Sequence, residues 1–213
     1  MIILMFGGPG AGKGTQSEIL KDSLGMVHVS SGDLLRDNIK RDTELGRVAN
    51  EYMSKGRLVP DDLIIAMILD RLLLPDAERG VLLDGFPRTR PQAVALSEAL
   101  EFKSKRVNAA LYISVADDVL IDRLAGRWTC RNCGHVFHEI FAPPRVAGVC
   151  DICGGELYQR DDDTREKAIT RVSVFHETTE PILEYYKLTG TLCEVDGDRP
   201  IEEVTKELLD CLR

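Results

Sequence analysis

The sequence predicts an α/β protein built on a parallel sheet with helices on both faces. Three observations carry that expectation. Ile2 to Phe6 is an unbroken apolar run that ends at Gly7-Gly8-Pro9-Gly10. A strand that is apolar at every position is one buried on both faces, as in parallel sheets. Short apolar strand candidates then alternate with longer helical segments along the chain. Finally, Gly7 to Lys13 fits the spacing G-x-x-x-x-G-K between the first strand and the first helix, where a glycine-rich turn cradles phosphate.

The elements follow in order. Lys13 to Leu24 reads as a helix stopped by Gly25, which supplies a left-handed C-terminal cap. Val27-His28-Val29 is a short strand. Ser31 and Asp33 are helix-start residues for Leu34 onward. Leu45 to Met53 is helical in pattern and ends near Gly56. Pro60 opens a helix over Asp61 to Leu72, with acidic residues in its first turn. Val81 to Leu83 is a strand, followed by the loop Asp84-Gly85-Phe86-Pro87-Arg88. Gln92 to Leu100 is a helix, Ala109 to Ile113 a strand and Asp117 to Leu124 a helix. The texture changes at Gly126: up to Asp163 lie four cysteines, two histidines, two prolines and the sole tryptophan. A long helix is expected near Thr164 to Leu188, then a strand at Leu192 to Val195 and a helix over Pro200 to Leu212.

Composition narrows the function. The 213 residues carry 27 Lys and Arg against 35 Asp and Glu, a net charge of −8. That balance argues against a basic nucleic-acid coat but leaves room for a local anion site. The longest purely apolar stretch, Leu63 to Leu69, has seven residues, against roughly 20 for a membrane span. The apolar start lacks a basic leader. The expectation is a cytoplasmic protein in a reducing compartment, without membrane or nucleic-acid partners, whose six cysteines are not a disulfide framework.

The glycine loop implies phosphate. Glycines let the backbone turn its N–H groups inward, the helix N-terminus adds positive potential, and Lys13 brings a mobile charge. One departure from the usual pattern is Gly14 directly after Lys13. The hydroxyl of Thr15 is displaced by one place, so Mg²⁺ is expected on the nucleotide, water and acidic side chains such as Asp33 and Asp84.

Three motifs stand in order: Gly7-Gly8-Pro9-Gly10-Ala11-Gly12-Lys13-Gly14-Thr15, then Ser30-Ser31-Gly32-Asp33-Leu34-Leu35-Arg36, then Asp84-Gly85-Phe86-Pro87-Arg88-Thr89-Arg90-Pro91-Gln92. Together they closely resemble the adenylate kinase family over essentially the whole chain. The resemblance implies a P-loop nucleotide kinase fold. Residues 1–29, 60–125 and 164–213 would form the core, 30–59 an AMP-binding insert and 126–163 a mobile lid. It implies reversible transfer of the γ-phosphoryl of Mg·ATP to AMP, giving two ADP, by an enzyme that is usually monomeric.

Such a transfer needs repulsion between polyanions cancelled and the reacting oxygens aligned, with no nucleophile from the protein. Convergent arginines serve that need. By resemblance, Arg36 and Arg88 hold the AMP phosphate, while Arg127, Arg160 and Arg171 close onto the phosphates from the lid side. Lys13, Arg88, Arg127, Arg160, Arg171 and Asp84 form the expected catalytic set. ATP is expected on Gly10, Ala11, Gly12, Lys13, Gly14 and Thr15, with Arg123 stacked on its adenine and Val136, Phe137 and Arg199 nearby. AMP is expected on Ser31, Gly32, Arg36, Arg57, Leu58, Val59, Gly85, Phe86, Pro87, Arg88, Gln92, Arg160 and Arg171. The Gln92 amide offers a donor beside an acceptor, the complement of an adenine edge. Relatives that phosphorylate UMP or CMP carry another side chain there.

Cys130-x2-Cys133-x16-Cys150-x2-Cys153 has the spacing of two zinc knuckles,. Four thiolates close a tetrahedron, so the metal is expected to be structural: zinc, with iron or cobalt as alternatives. His135 and His138 are second-choice ligands. Cys193 and Cys211 are expected to be plain thiols in a strand and a helix. His28 and His176 have no partner pattern and receive no role. Two other readings remain: a different nucleoside monophosphate kinase, and a zinc-ribbon regulator or nucleic-acid adaptor with a vestigial nucleotide pocket.

Overall fold

The computed structural model describes residues 1–213. Its main sheet has five parallel strands. They are β1 (Ile2–Gly7), β2 (Val27–Ser30), β3 (Val81–Asp84), β4 (Ala109–Ser114) and β8 (Leu192–Asp196), in the spatial order β2-β3-β1-β4-β8. The helices are α1 (Lys13–Leu24), α2 (Ser31–Lys40), α3 (Glu44–Met53), α4 (Asp61–Arg71), α5 (Arg90–Phe102), α6 (Asp117–Ala125), α7 (Arg165–Val174), α8 (Glu180–Leu188) and α9 (Ile201–Asp210). The first strand is central and buried at every position, which is why it reads as a continuous apolar run. Two buried clusters, one on each sheet face, divide its side chains: Ile2, Leu4 and Phe6 in one, Ile3 and Met5 in the other,.

Chain order reverses direction at β1, with β3 on one side and β4 on the other. A ligand crevice opens at the carboxyl ends of the strands at such a switch point. The register sets Asp84 of β3 beside both Met5 of β1 and Ser30 of β2. That places the first glycine loop and the Asp84 loop on the same edge.

Helix boundaries follow local chemistry. The N-terminal cap of α2 is Ser30, one residue before the expected Ser31, and its hydroxyl accepts from Asp33 N–H at 3.2 Å,. Gly25 ends α1 at φ 63°, as expected. The helix expected near Thr164 to Leu188 runs without a break from 165 to 188, but its middle is wound differently. Residues 175–179 form a π-turn between α7 and α8. Pro181 lacks an N–H for the regular ladder, and the Thr178 hydroxyl bonds Val174 O at 2.6 Å,. A short 3₁₀ turn at Pro75–Arg79, absent from the sequence reading, precedes β3.

His176 lies in that π-turn and ties two helices together. It bonds Asp117 of α6 at 2.8 Å and Glu180 of α8 at 2.7 Å. The Glu180 bond and then the Asp117 bond raise its pKa above the usual imidazole value. A raised folded value gives stability that is complete below the unfolded pKa and fades as pH rises through the folded one. The melting-temperature advantage over a His176→Gln variant is therefore expected to be larger at pH 6 than at pH 9, which thermal melts at the two pH values would read.

The structure corrects the expectation for Cys193 and Cys211. They form a disulfide between β8 and the residue that follows α9, with Cα atoms 6.1 Å apart across 18 residues of sequence. Both residues read as thiols because their pairing depends on α9 folding back beside β8, which sequence spacing does not report. A loop of that size is worth about 3 kcal/mol when closed. Reductant, or Cys193→Ser with Cys211→Ser, is expected to lower the melting temperature by the same amount, with no further loss when the two are combined.

The segment between α6 and α7 forms a separate antiparallel sheet, ordered β6-β5-β7. Its strands are β5 (Arg127–Cys130), β6 (Val136–His138) and β7 (Leu157–Tyr158). Its own buried cluster is only Cys130, Phe137, Cys150 and Leu157, with Trp128 packed against it.

Candidate active site

The loop from β1 to α1 turns its backbone toward the crevice. Gly10 sits at φ 91°, and a Cβ there would lie 2.7 Å from Leu120 O, so a side chain is excluded by both conformation and space. Ala11 is buried behind the loop. Gly12 caps α1 without a side-chain bond. The N–H groups of Lys13, Gly14 and Thr15 therefore find no acceptor within the chain. Three free donors at a helix start form an anion cradle.

Lys13 folds over this cradle, its Nζ donating to Gly7 O at 2.8 Å and Gly8 O at 2.9 Å. Desolvation lowers its pKa to about 8, with Asp84 opposing and Arg88, Arg171 and Arg127 adding repulsion. Burial pushes the Asp84 carboxyl up, yet His28, Lys13 and Arg88 outweigh it and hold the group below its usual range. Asp84 therefore stays ionised facing the start of α1. His28, given no role from sequence, reaches Asp84 at 3.5 Å and Glu18 at 2.7 Å.

The loop after β3 is a compact knot. Ser31 Oγ and Arg88 Nε both donate to Gly85 O at 2.7 Å. Gly85 adopts φ 73°, and a Cβ would press on Arg88 and Ser31 at 2.6 and 2.8 Å. Phe86 is buried and joined to Pro87 by a cis peptide bond. Gln92, buried on the first turn of α5, accepts from Arg88 N–H at 2.7 Å. Gly32, Arg36, Arg57, Leu58 and Val59 line the same crevice, together with Ser31, Arg88, Gln92 and Arg171. The expected AMP residues are thus brought together, with Arg160 joining Arg36 from the lid side.

The cations converge. Burial, then Arg171, lowers the Arg88 guanidinium to about 10. Burial, then Arg36 and Arg127, does the same to Arg160. Both remain charged at neutral pH. Arg160 Nε is buried without a partner, the mark of a cation lacking its anion. Asp163, wholly buried, divides itself between Arg127 at 2.8 Å and Arg171 at 2.9 Å. Asp162 adds a second contact to Arg171 at 3.1 Å. These aspartates were missed because Asp161-Asp162-Asp163 reads as a solvated charge run. Asp33 is exposed, and its contact to Arg36 at 2.6 Å lies at the rim.

Arg123 stands apart from that cluster. It bonds Gly197 O and Asp198 at 3.1 Å, against the loop that also holds Arg199, itself paired to Glu207. Val136 is exposed on the lid, whereas the Phe137 ring is buried in the lid cluster. A contact from Phe137 to a nucleotide therefore runs through backbone.

The four lid cysteines form two matching knuckles. Cys130 N–H donates to His135 O at 2.9 Å, and Cys150 N–H to Gly155 O at 2.8 Å. All four Sγ atoms lie within 4.8 Å of one another. The backbone N–H of Cys133 is the main influence lowering the Cys130 thiol, to about 6. These four sulfurs form a donor set of the size a zinc-type ion needs,. The rival histidines are engaged elsewhere: His138 Nδ1 accepts from Ile140 and Phe141 N–H, and His135 packs edge-on to Phe137. No helix is long and apolar enough to cross a membrane.

Comparison with known proteins agrees with this site. The family model described as adenylate kinase matches residues 5–191. A protein named adenylate kinase from Caldicellulosiruptor bescii is 48% identical over 212 residues, covering 100% of this chain and 99% of its own. One from Streptomyces avermitilis is 50% identical, with 100% and 97% covered. One from Archaeoglobus fulgidus is 47% identical, with 98% and 96% covered. With a phosphate cradle, a convergent cation cluster and full-length relatives in agreement, the chain belongs to the adenylate kinase family.

Proposed function

We propose that this enzyme transfers the γ-phosphoryl of ATP reversibly to AMP, giving two ADP. The observation that carries the reading is the cluster of Lys13, Arg88, Arg160 and Arg171 around one crevice, with Arg160 Nε buried and unpaired. A buried cluster in which cations outnumber carboxylates is stabilised by a polyanion, and most by the charge spread over a transferring phosphoryl group.

Each residue then has a task. The free N–H groups at the start of α1 and Lys13 hold the ATP phosphates. Arg36 and Arg88 hold the AMP phosphate in line. Arg127, Arg160 and Arg171 neutralise the equatorial oxygens, Asp163 keeping Arg127 and Arg171 in a fixed relation. Ser31, Gly32, Arg57, Leu58, Val59, Gly85, Phe86 and Pro87 shape the AMP pocket, and Gln92 reads its base. Arg123, Val136, Phe137 and Arg199 frame the ATP base. Asp84, facing the α1 start and kept ionised, suits Mg²⁺ held through water, with Thr15 alongside. Bound Mg²⁺ supplies charge neutralisation and orientation of the ATP phosphates.

Residues 30–59 and 126–163 act as two moving bodies on the core, and Cys130, Cys133, Cys150 and Cys153 hold a structural Zn²⁺ that stiffens the second, with iron or cobalt as substitutes. The enzyme works as a monomer without nucleic-acid or membrane partners. A panel of AMP, CMP, UMP and GMP with Mg·ATP tests the acceptor. AMP is expected to be strongly preferred; ADP formation from another acceptor and none from AMP would overturn the reading.

A further inference from the structure

Asp61, the first residue of α4, has no part in the phosphate chemistry, yet its carboxylate is tied into the acceptor pocket. One oxygen accepts from Gln92 Nε2 at 2.6 Å and the other from the Thr89 hydroxyl at 2.8 Å. On its other side, Gln92 Oε1 accepts from Arg88 N–H at 2.7 Å. A carboxylate only accepts and a backbone N–H only donates. The two contacts therefore fix which way round the buried Gln92 amide lies, and a flip would set donor against donor at Arg88 and acceptor against acceptor at Asp61.

Orientation matters because of what remains free. After these contacts, Gln92 has one Oε1 lone pair and one Nε2 hydrogen to offer. A purine with a 6-amino group donates from that position, whereas a 6-oxopurine accepts there. An amide held one way round pairs with the first and opposes the second. A freely turning amide serves both.

We propose that Asp61 is a positioning residue for acceptor selectivity: it holds the Gln92 amide so that the pocket takes a 6-aminopurine monophosphate and rejects a 6-oxopurine monophosphate. The inference rests on Gln92 reading the acceptor base. Thr89 marks the boundary of the claim. Its hydroxyl also caps α5, accepting from Gln92 N–H at 3.4 Å, so its loss weakens the helix start but leaves the Asp61–Gln92 bond in place.

The test is the ratio of kcat/KM for AMP to that for IMP, measured on the full-length enzyme with Mg·ATP. KM for ATP and the melting temperature are recorded alongside. A charge-assisted bond of this kind supports roughly a 10- to 100-fold preference. Asp61→Ala is expected to lower the AMP:IMP ratio by about that factor with KM for ATP unchanged. Asp61→Asn retains an acceptor oxygen and is expected to restore most of the ratio. Thr89→Ala is expected to lower the melting temperature and keep the ratio. Adding Asp61→Ala to Gln92→Ala is expected to change the ratio no further. If alanine at 61 does not accumulate as folded enzyme, Asp61→Ser takes its place. An unchanged ratio in the folded Asp61 variant, beside a collapsed ratio in Gln92→Ala, would overturn the role of Asp61 alone. An unchanged ratio in Gln92→Ala would overturn the reading of Gln92, and this inference with it.

Discussion

Replacing Arg88 with alanine is expected to lower kcat by roughly 10³-fold or more while the melting temperature scarcely moves. The two halves of that result have separate causes. Arg88 is desolvated next to Arg171 and Arg36, which together with burial lower its guanidinium to about 10. A cation kept among cations is destabilising to the empty fold, so its removal relieves repulsion. Its one side-chain bond, to Gly85 O, is duplicated by Ser31, and its backbone bonds survive the substitution. The fold therefore loses little. The reacting state loses a fork of donors aimed at developing phosphoryl charge, where a single arginine is worth roughly 10³–10⁵ in rate. Lysine at 88 should not restore it, because a point charge lacks the planar fork. Steady-state kinetics beside thermal melts check the prediction. A variant within about tenfold of the parent rate would remove Arg88 from the reacting centre.

Loss of the lid metal is the second large effect. The lid buries only four residues in its own cluster, two of them cysteines. So small a core does not hold a fold alone, whereas binding of structural zinc contributes roughly 10–16 kcal/mol in small zinc domains. Cys130→Ser is expected to empty the site and lower the melting temperature by on the order of 10 °C. The segment between the knuckles should become sensitive to protease. Turnover at low temperature should fall less, since none of the four thiolates faces the phosphate crevice. Metal content by elemental analysis, melts and limited proteolysis read the three effects. Full metal content with an unchanged melting temperature would show that the cysteines are not the ligands, and collapse of turnover at unchanged stability would show that the metal is not structural.

What was legible in the sequence was local. The apolar run of β1, the glycine loop and the paired cysteine knuckles are each a contiguous pattern with one physical cause, and the structure places them as expected. What was not legible depends on tertiary approach. Asp163 stands in a run of three aspartates and is wholly buried only because Arg127 and Arg171 arrive from different elements. Asp61 reads as a helix-start acid until α5 brings Gln92 and Thr89 to it. His28 gains meaning from the register that sets β2 beside β3. The Cys193–Cys211 bond depends on α9 returning to β8. The bonds of Arg123 to Gly197 O and Asp198 likewise depend on the loop after β8 arriving beside α6.

The central claim is that this cleft moves a phosphoryl group between two nucleotides and does not release it to water. The most direct measurement follows the label from γ-³²P-ATP in a single turnover with excess enzyme, Mg²⁺ and AMP. The account predicts label in ADP as the terminal phosphate of the former AMP, with little inorganic phosphate. Label appearing as free phosphate at the same rate with or without AMP would contradict it.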